Sequence, residues 1–146
     1  MLTEKYEIEA SQSFLKYEFH SLGPKGKIKK QIEFKPFPTN PLVFNIGFGD
    51  VDSKGNINDI IVSDNNDSQK VLATVALAAL SFFTKHKNCF IYAIGSTKSR
   101  TRLYQIGLSK NLDLIEVDFE VFGFLNQKWL KFEKNMNYDA FLVSKK

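Results

Sequence analysis

Cysteine is almost missing from this chain. Cys89 stands alone, so no intrachain disulfide forms and no thiolate zinc site can be assembled, and a reducing compartment suits such a sequence best. Arginine is nearly as scarce. Of 20 basic residues only Arg100 and Arg102 are arginines, which confines the planar fork that best grips phosphate or carboxylate to one place. Histidine is limited to His20 and His86, and neither sits in a Ser-His-Asp or Cys-His pattern; His20 falls in the outward phase of a strand and His86 at a helix end, so both read as surface. Long apolar runs are missing too. Val71 to Phe83 is interrupted by Thr74 and Ser81 and is too short to span a bilayer. Met1 to Tyr6 has neither the apolar run nor the small-residue cleavage site of a secretion signal. These absences predict a cytoplasmic protein with no membrane contact.

What is present describes one folded unit. At 146 residues the chain matches a single domain over 1–146, able to bury about two-thirds of its unfolded surface. Fourteen phenylalanines point to a β-rich interior filled with rings. The net charge of +4 permits contact with nucleic acid without marking a dedicated basic protein.

Periodicity places the elements. Leu15, Tyr17 and Phe19 alternate with Lys16, Glu18 and His20, and Ile28, Ile32 and Phe34 alternate on the return, which predicts a hairpin over Phe14 to Phe34 turning at Gly23-Pro24-Lys25-Gly26. Pro36, Pro38 and Pro41 are expected to end its second strand, since proline removes a ladder donor. Further strands are expected over Leu42 to Phe48 and Ile57 to Val62. Asp64-Asn65-Asn66-Asp67-Ser68 offers N-caps for a long, largely apolar helix from Gln69 to His86. A strand at Phe90 to Ile94, a short helix at Ser99 to Lys110, a strand at Leu114 to Phe122 and strands near Trp129 to Phe132 and Tyr138 to Val143 complete the chain. With strands mostly before and after the helices, the fold class is α+β: a mostly antiparallel or mixed β-sheet with one long buried helix and one short helix packed on it.

The segment with most chemistry is the passage from strand to helix at Gly95-Ser96-Thr97, continuing through Arg100, Arg102 and Tyr104. Glycine allows a close turn, hydroxyls cap and donate, and the free amides of a helix start attract an anion. The spacing is neither a Walker loop nor a dinucleotide fingerprint. Helical phase sets Arg100 among Leu103, Tyr104 and Gly107, facing the sheet, and Arg102 beside Gln105 and Ser109, facing solvent. An inward arginine needs a partner, either a ligand or a carboxylate such as Asp50. Lys30 shares the inward phase of Ile28 and Ile32 and is expected to project toward a cleft, with Tyr17 and Phe19 opposite, rings that would suit a stacked base.

Other constellations are weaker. Asp50-Val51-Asp52-Ser53-Lys54-Gly55-Asn56 has the outline of a calcium loop, but Lys54 stands at a ligand position and Ile61 where a bidentate glutamate belongs, so a polar turn is expected and no metal site is assigned. Asp59, Asp64 and Asp67 are accounted for by caps and turns. Cys89 at the start of a buried strand reads as packing. No cofactor is implied, and no catalytic residue can be named.

Three stretches together carry a resemblance: Tyr17-Glu18-Phe19 through Ser21-Leu22-Gly23-Pro24-Lys25-Gly26-Lys27-Ile28, then Val71-Leu72-Ala73-Thr74-Val75-Ala76, then Gly95-Ser96-Thr97 with Arg100-Thr101-Arg102-Leu103-Tyr104. The chain resembles an uncharacterised family of small single-domain proteins from Bacteroidetes-type bacteria over nearly its whole length, which implies a bacterial source and a single-domain unit but, the family's function being undefined, points to no particular activity. The reading from the residues is a module that binds a phosphate of RNA, DNA or a nucleotide through Gly95, Ser96, Thr97, Arg100, Arg102 and Tyr104, helped by Lys30. Two alternatives stand beside it. One is a ribonuclease-like toxin of a toxin–antitoxin or phage-defence system; the other is a module whose basic hairpin or whose Glu116, Asp118, Glu120 face meets a protein partner.

Overall fold

In the computed structural model, residues 4–58 and 65–146 are described. Among them are nine strands and three helices: β1 (Glu9–Ala10), β2 (Lys16–Gly23), β3 (Gly26–Phe37), β4 (Asn40–Val51), β5 (Ile57–Asn58), α1 (Ser68–Lys85), β6 (Phe90–Ala93), α2 (Lys98–Lys110), α3 (Leu112–Ile115), β7 (Phe119–Leu125), β8 (Lys128–Lys131) and β9 (Ala140–Lys145). The fold is α+β, with a mostly antiparallel, mixed sheet that includes the parallel pair β4–β6. The rest of the strand expected over Ile57 to Val62, with Asp59 and Asp64, lies outside the described residues. The chain divides into two compact units, Met1–Lys35 with Gly47–Lys87, and Pro36–Ile46 with Asn88–Lys146.

In the first unit the strand order is β1-β2-β3-β4, with β5 on β4. Gly23 pairs with Gly26, leaving Pro24-Lys25 as a tight turn, and Gly26 takes φ +89, which glycine adopts without strain. Asn65 clamps that turn: its Oδ1 accepts from Lys25 N at 2.7 Å and its Nδ2 donates to the Gly26 carbonyl at 2.9 Å. The alternation of the hairpin places Tyr17, Phe19, Ile32 and Phe34 at 2 % exposure or less. They meet α1, where the Phe34 and Phe82 rings stack at 4.4 Å and the Tyr17 hydroxyl reaches Ser81 Oγ at 3.1 Å. The buried stripe of α1 is Ala73, Thr74, Ala78, Ala79, Phe82 and Phe83, spaced as one helical face. Burying a phenylalanine such as Phe82 is worth about 1.5–3 kcal/mol.

Two details differ from the sequence reading. Pro36 does not end β3: the β2 pairing stops at Lys16↔Glu33, Phe34 N still donates to the Leu15 carbonyl at 2.8 Å, and two residues further on proline has no β2 residue opposite it and so no ladder bond to lose. The N-cap of α1 is Asp67, yet its carboxylate does not cap: it accepts from the hydroxyls of Tyr6, at 2.6 Å, and Ser21.

In the second unit the order is β4-β6-β9-β7-β8. Its core gathers Phe44, Ile91, Leu112, Ile115, Phe119, Val121, Phe132, Tyr138 and Phe141. The strand expected over Leu114 to Phe122 begins only at Phe119. Before it, α3 turns on the Asn111 carbonyl, which accepts from Leu114 N and Ile115 N, so Leu112 and Ile115 enter the core at helical spacing. Val117, which on that strand would have faced away from Glu116 and Asp118 into the core, is 68 % exposed. The Glu116, Asp118, Glu120 face therefore does not form, since only Glu120 lies on the strand.

Candidate functional site

β6 leaves the second unit's sheet through Ile94, Gly95 and Ser96 and enters α2 at Thr97. Thr97 has extended backbone (φ −136, ψ 166), and its Oγ1 accepts from Arg100 N at 3.2 Å, the geometry of a helix N-cap. Its carbonyl accepts from Thr101 N at 3.0 Å and from Thr101 Oγ1 at 3.2 Å. Thr101 Oγ1 in turn accepts from Gly95 N at 2.9 Å, which stitches the strand exit to the helix's first turn. Only glycine fits at 95. A Cβ there would stand 2.3 Å from Thr101 N and 2.5 Å from Arg100 Cβ, closer than atoms can approach.

This cap satisfies the amides of Arg100 and Thr101. The amides of Lys98 and Ser99 open the helix and have no intrahelical acceptor, and the first turn contains no acidic side chain to neutralise the positive pole. Lys98 borders a surface cleft of 580 Å³. One wall is Gly95, Ser96, Thr97, Lys98, Arg102 and Gln105; the facing wall is Asn137, Tyr138 and Asp139, ahead of β9. Polar bonds join the walls. Arg102 Nη1 donates to Asn137 Oδ1 at 2.6 Å, and Tyr138 N donates to Gln105 Oε1 at 3.3 Å. Tyr138 is held from behind by Gly123, where a Cβ would lie 2.3 Å from its ring. Two cations, Lys98 and Arg102, thus share the cleft with one carboxylate, Asp139.

Of the residues singled out in the sequence, Gly95, Ser96, Thr97 and Arg102 line this cleft. Arg100 and Tyr104 do not. Helical phase holds for the arginines, Arg100 being 7 % exposed and Arg102 exposed. Leu103, expected beside Arg100, is 60 % exposed, because the buried positions of α2 are Arg100, Thr101 and Gln105. Asp50, the carboxylate offered to Arg100, is 2.7 Å from Lys30 Nζ. Lys30 belongs to the first unit, 1 % exposed, with its ammonium over the Phe48 ring at 5.7 Å. Tyr17 and Phe19 are core rings, Phe19 stacked on Tyr6 at 5.6 Å and on Phe48 at 6.3 Å, so neither presents a face to a base.

The remaining candidates have ordinary structural roles. Asp52 Oδ1 accepts from the amides of Lys54 and Asn56, both at 2.9 Å, which is the polar turn expected in place of a calcium loop. The His86 ring stacks on Phe82 at 4.8 Å, with Nε2 3.1 Å from the Ser13 carbonyl oxygen. Burial raises the Cys89 thiol pKa, the opposite of what a nucleophile needs. Among the described residues, no cluster of three metal-binding side chains occurs and no helix is long and apolar enough to cross a membrane.

Gln105, expected to face solvent beside Arg102, is 6 % exposed and accepts from Tyr138 N; sequence reading missed Asn137, Tyr138 and Asp139. The Arg102–Asn137 contact spans 35 residues, and no local pattern announces it; the visible cue was the mostly polar segment Glu133-Lys134-Asn135-Met136-Asn137 between two expected strands.

The model of a family of unknown function, DUF6934, matches residues 2–146. The chain belongs to that family. No curated protein and no solved structure matches it. Membership of DUF6934 brings no activity with it, so function is argued from the cleft.

Proposed function

We propose that the cleft at the start of α2 binds the phosphate of a nucleotide or nucleic acid, making the protein a phosphate-recognising binding module. The observation that carries this is a helix start with no acidic side chain in its first turn, beside a cleft lined by Lys98 and Arg102. A phosphate oxygen placed there gains backbone donors, the positive helix pole and a guanidinium fork. Ser96 and Thr97 add hydroxyls at the rim. Arg102 supplies the fork in this geometry, and Arg100 supports the helix from its buried side.

The test is binding of labelled RNA, DNA and a nucleoside triphosphate across a salt series, comparing wild type with Arg102→Ala and Lys98→Ala. Both side chains are charged and at the surface, so both variants should stay folded. Affinity that falls with salt and drops severalfold in each variant supports the reading. Wild-type binding to none of the three at low salt sinks it. Strand cleavage that disappears in Asp139→Asn while binding persists would favour the ribonuclease alternative.

A further inference from the structure

The second unit's sheet has two unlike faces. Residues opposed across paired strands point the same way, so Asn45↔Tyr92, Tyr92↔Leu142, Leu142↔Phe122, Phe122↔Lys131 and Phe124↔Trp129 share one face. The alternate set, Phe44, Ile91, Val121 and Phe141, is 7 % exposed or less and forms the core. On the first face the rings stay partly open and touch in a row. Phe37 meets Tyr92 at 5.2 Å, Tyr92 meets Trp129 at 6.1 Å, and Trp129 meets Phe124 at 4.9 Å. Trp129 is 41 % exposed, and all four residues of β8 are exposed.

Charge decides what covers such a row. Lys128 and Lys131 bracket Trp129 on β8, the last strand of the unit's order, and Lys131 shares the ring face through its pairing with Phe122. A second copy added antiparallel at that edge, centred on Trp129 and Leu130, would set Lys128 opposite Lys131, a like-charge pair that disfavours self-association. An anionic partner with flat apolar faces satisfies both features, and single-stranded nucleic acid has that chemistry: its bases stack on rings while its phosphates meet lysines. The row also leads to the cleft. Ile94, two residues past Tyr92 and 43 % exposed, is one of the cleft's lining residues.

We propose that this aromatic face, centred on Trp129 and Tyr92, is the stacking platform for the bases of a single-stranded nucleic acid. It goes beyond the phosphate reading, which a lone nucleotide would satisfy; here the bases contribute through the sheet, and Ile94 joins the row to the phosphate cleft.

Trp129 is the sole tryptophan, so its emission reports stacking directly. The full chain is titrated at low salt with single-stranded oligonucleotides of about ten bases, within the range of roughly 4–16 nucleotides such platforms hold. The matching duplex and inorganic phosphate serve as controls. Quenching of Trp129, affinity about tenfold weaker in Trp129→Ala and largely kept in Trp129→Phe, weaker duplex binding, and phosphate binding unchanged by Trp129→Ala are the expected results. Circular dichroism confirms that each variant is folded. Strand binding that leaves the emission unchanged, or equals wild type in Trp129→Ala, overturns the platform; if it then falls in Arg102→Ala, the cleft reading survives alone. No strand binding at low salt also overturns the platform, while phosphate binding sensitive to Arg102 would still uphold the cleft.

Discussion

The Gly95 amide donates to the Thr101 hydroxyl at 2.9 Å, and the same hydroxyl donates to the Thr97 carbonyl at 3.2 Å. One side chain thereby fixes both the end of β6 and the first turn of α2. Thr101→Val removes both bonds while keeping the shape and leaves the Gly95 amide short of an acceptor, which costs about 1–3 kcal/mol. Gly95→Ala is the harsher change, because its Cβ meets backbone rather than a side-chain tip that could move aside. Urea unfolding should show lower midpoints for both variants, with Gly95→Ala the lower. A midpoint equal to wild type in Gly95→Ala would mean that the strand exit and helix do not approach so closely.

Lys30 and Asp50 form an ion pair at 2.7 Å, with side chains 1 % and 15 % exposed. Removing one partner of such a pair takes a charge-assisted bond from the group that remains, at a cost of about 3–5 kcal/mol, whereas replacing both partners by apolar residues of similar volume is close to neutral. Lys30→Met alone should lower stability by that order, and Lys30→Met with Asp50→Leu should recover most of it. A double variant no more stable than Lys30→Met would show that the pair contributes through other partners. The same series separates Lys30 from ligand binding, since the double variant should keep wild-type affinity at the Arg102 cleft.

Alternation made the first hairpin legible because one of its faces is fully buried: Tyr17, Phe19, Ile32 and Phe34 admit no other register. It also revealed that Lys30 points inward, but not that Asp50 waits there, since twenty residues and a turn separate them. The same rule misled between Leu114 and Val117. Leu112 and Ile115 fit a helical turn as well as Ile115 and Val117 fit a strand, and the Asn111 carbonyl decides for the turn. At the site, the cap and the close approach of Gly95 were readable from residue type. The facing wall was not, because Asn137 and Asp139 reach it only through the pairing of β9. The ring face was hidden for a similar reason. Tyr92, Phe124 and Trp129 come from three strands, and the local hint was the sequence Lys128-Trp129-Leu130-Lys131, a ring flanked by lysines.

Tyr6 gives a pH dependence with a definite sign. Burial, then its hydrogen bond to Asp67, raises its hydroxyl pKa above the ordinary tyrosine value. Burial raises Tyr17 and Tyr92 as well. A group whose folded pKa lies above its unfolded one contributes stability that is complete below the unfolded pKa, near 10, and is lost as pH rises toward the folded value. Stability should therefore fall on the alkaline side of pH 10, and the fall should be shallower in Tyr6→Phe. That variant should also be less stable at pH 8, since Tyr6 OH links Asp67 and Leu22 N to the N-terminal segment. Urea midpoints from pH 8 to 11 test both points, and an unchanged alkaline slope in Tyr6→Phe would remove Tyr6 as a contributor.

Asp139 lines the cleft with Lys98 and Arg102, and its charge opposes the anion proposed to bind there. Its backbone amide, not its carboxylate, makes the structural bond, to the Phe124 carbonyl at 2.8 Å. Asp139→Asn keeps that bond and the side-chain shape while removing one negative charge from the wall. At low salt, affinity for inorganic phosphate or a nucleotide should rise severalfold, and the gain should fade as salt screens the cleft. Arg102→Ala should move affinity the opposite way with little loss of stability, because its bond to Asn137 is exposed. If Asp139→Asn weakens anion binding instead, the carboxylate orients Arg102 or the ligand rather than repelling it, and the cleft is built for a ligand with a donor beside its phosphate.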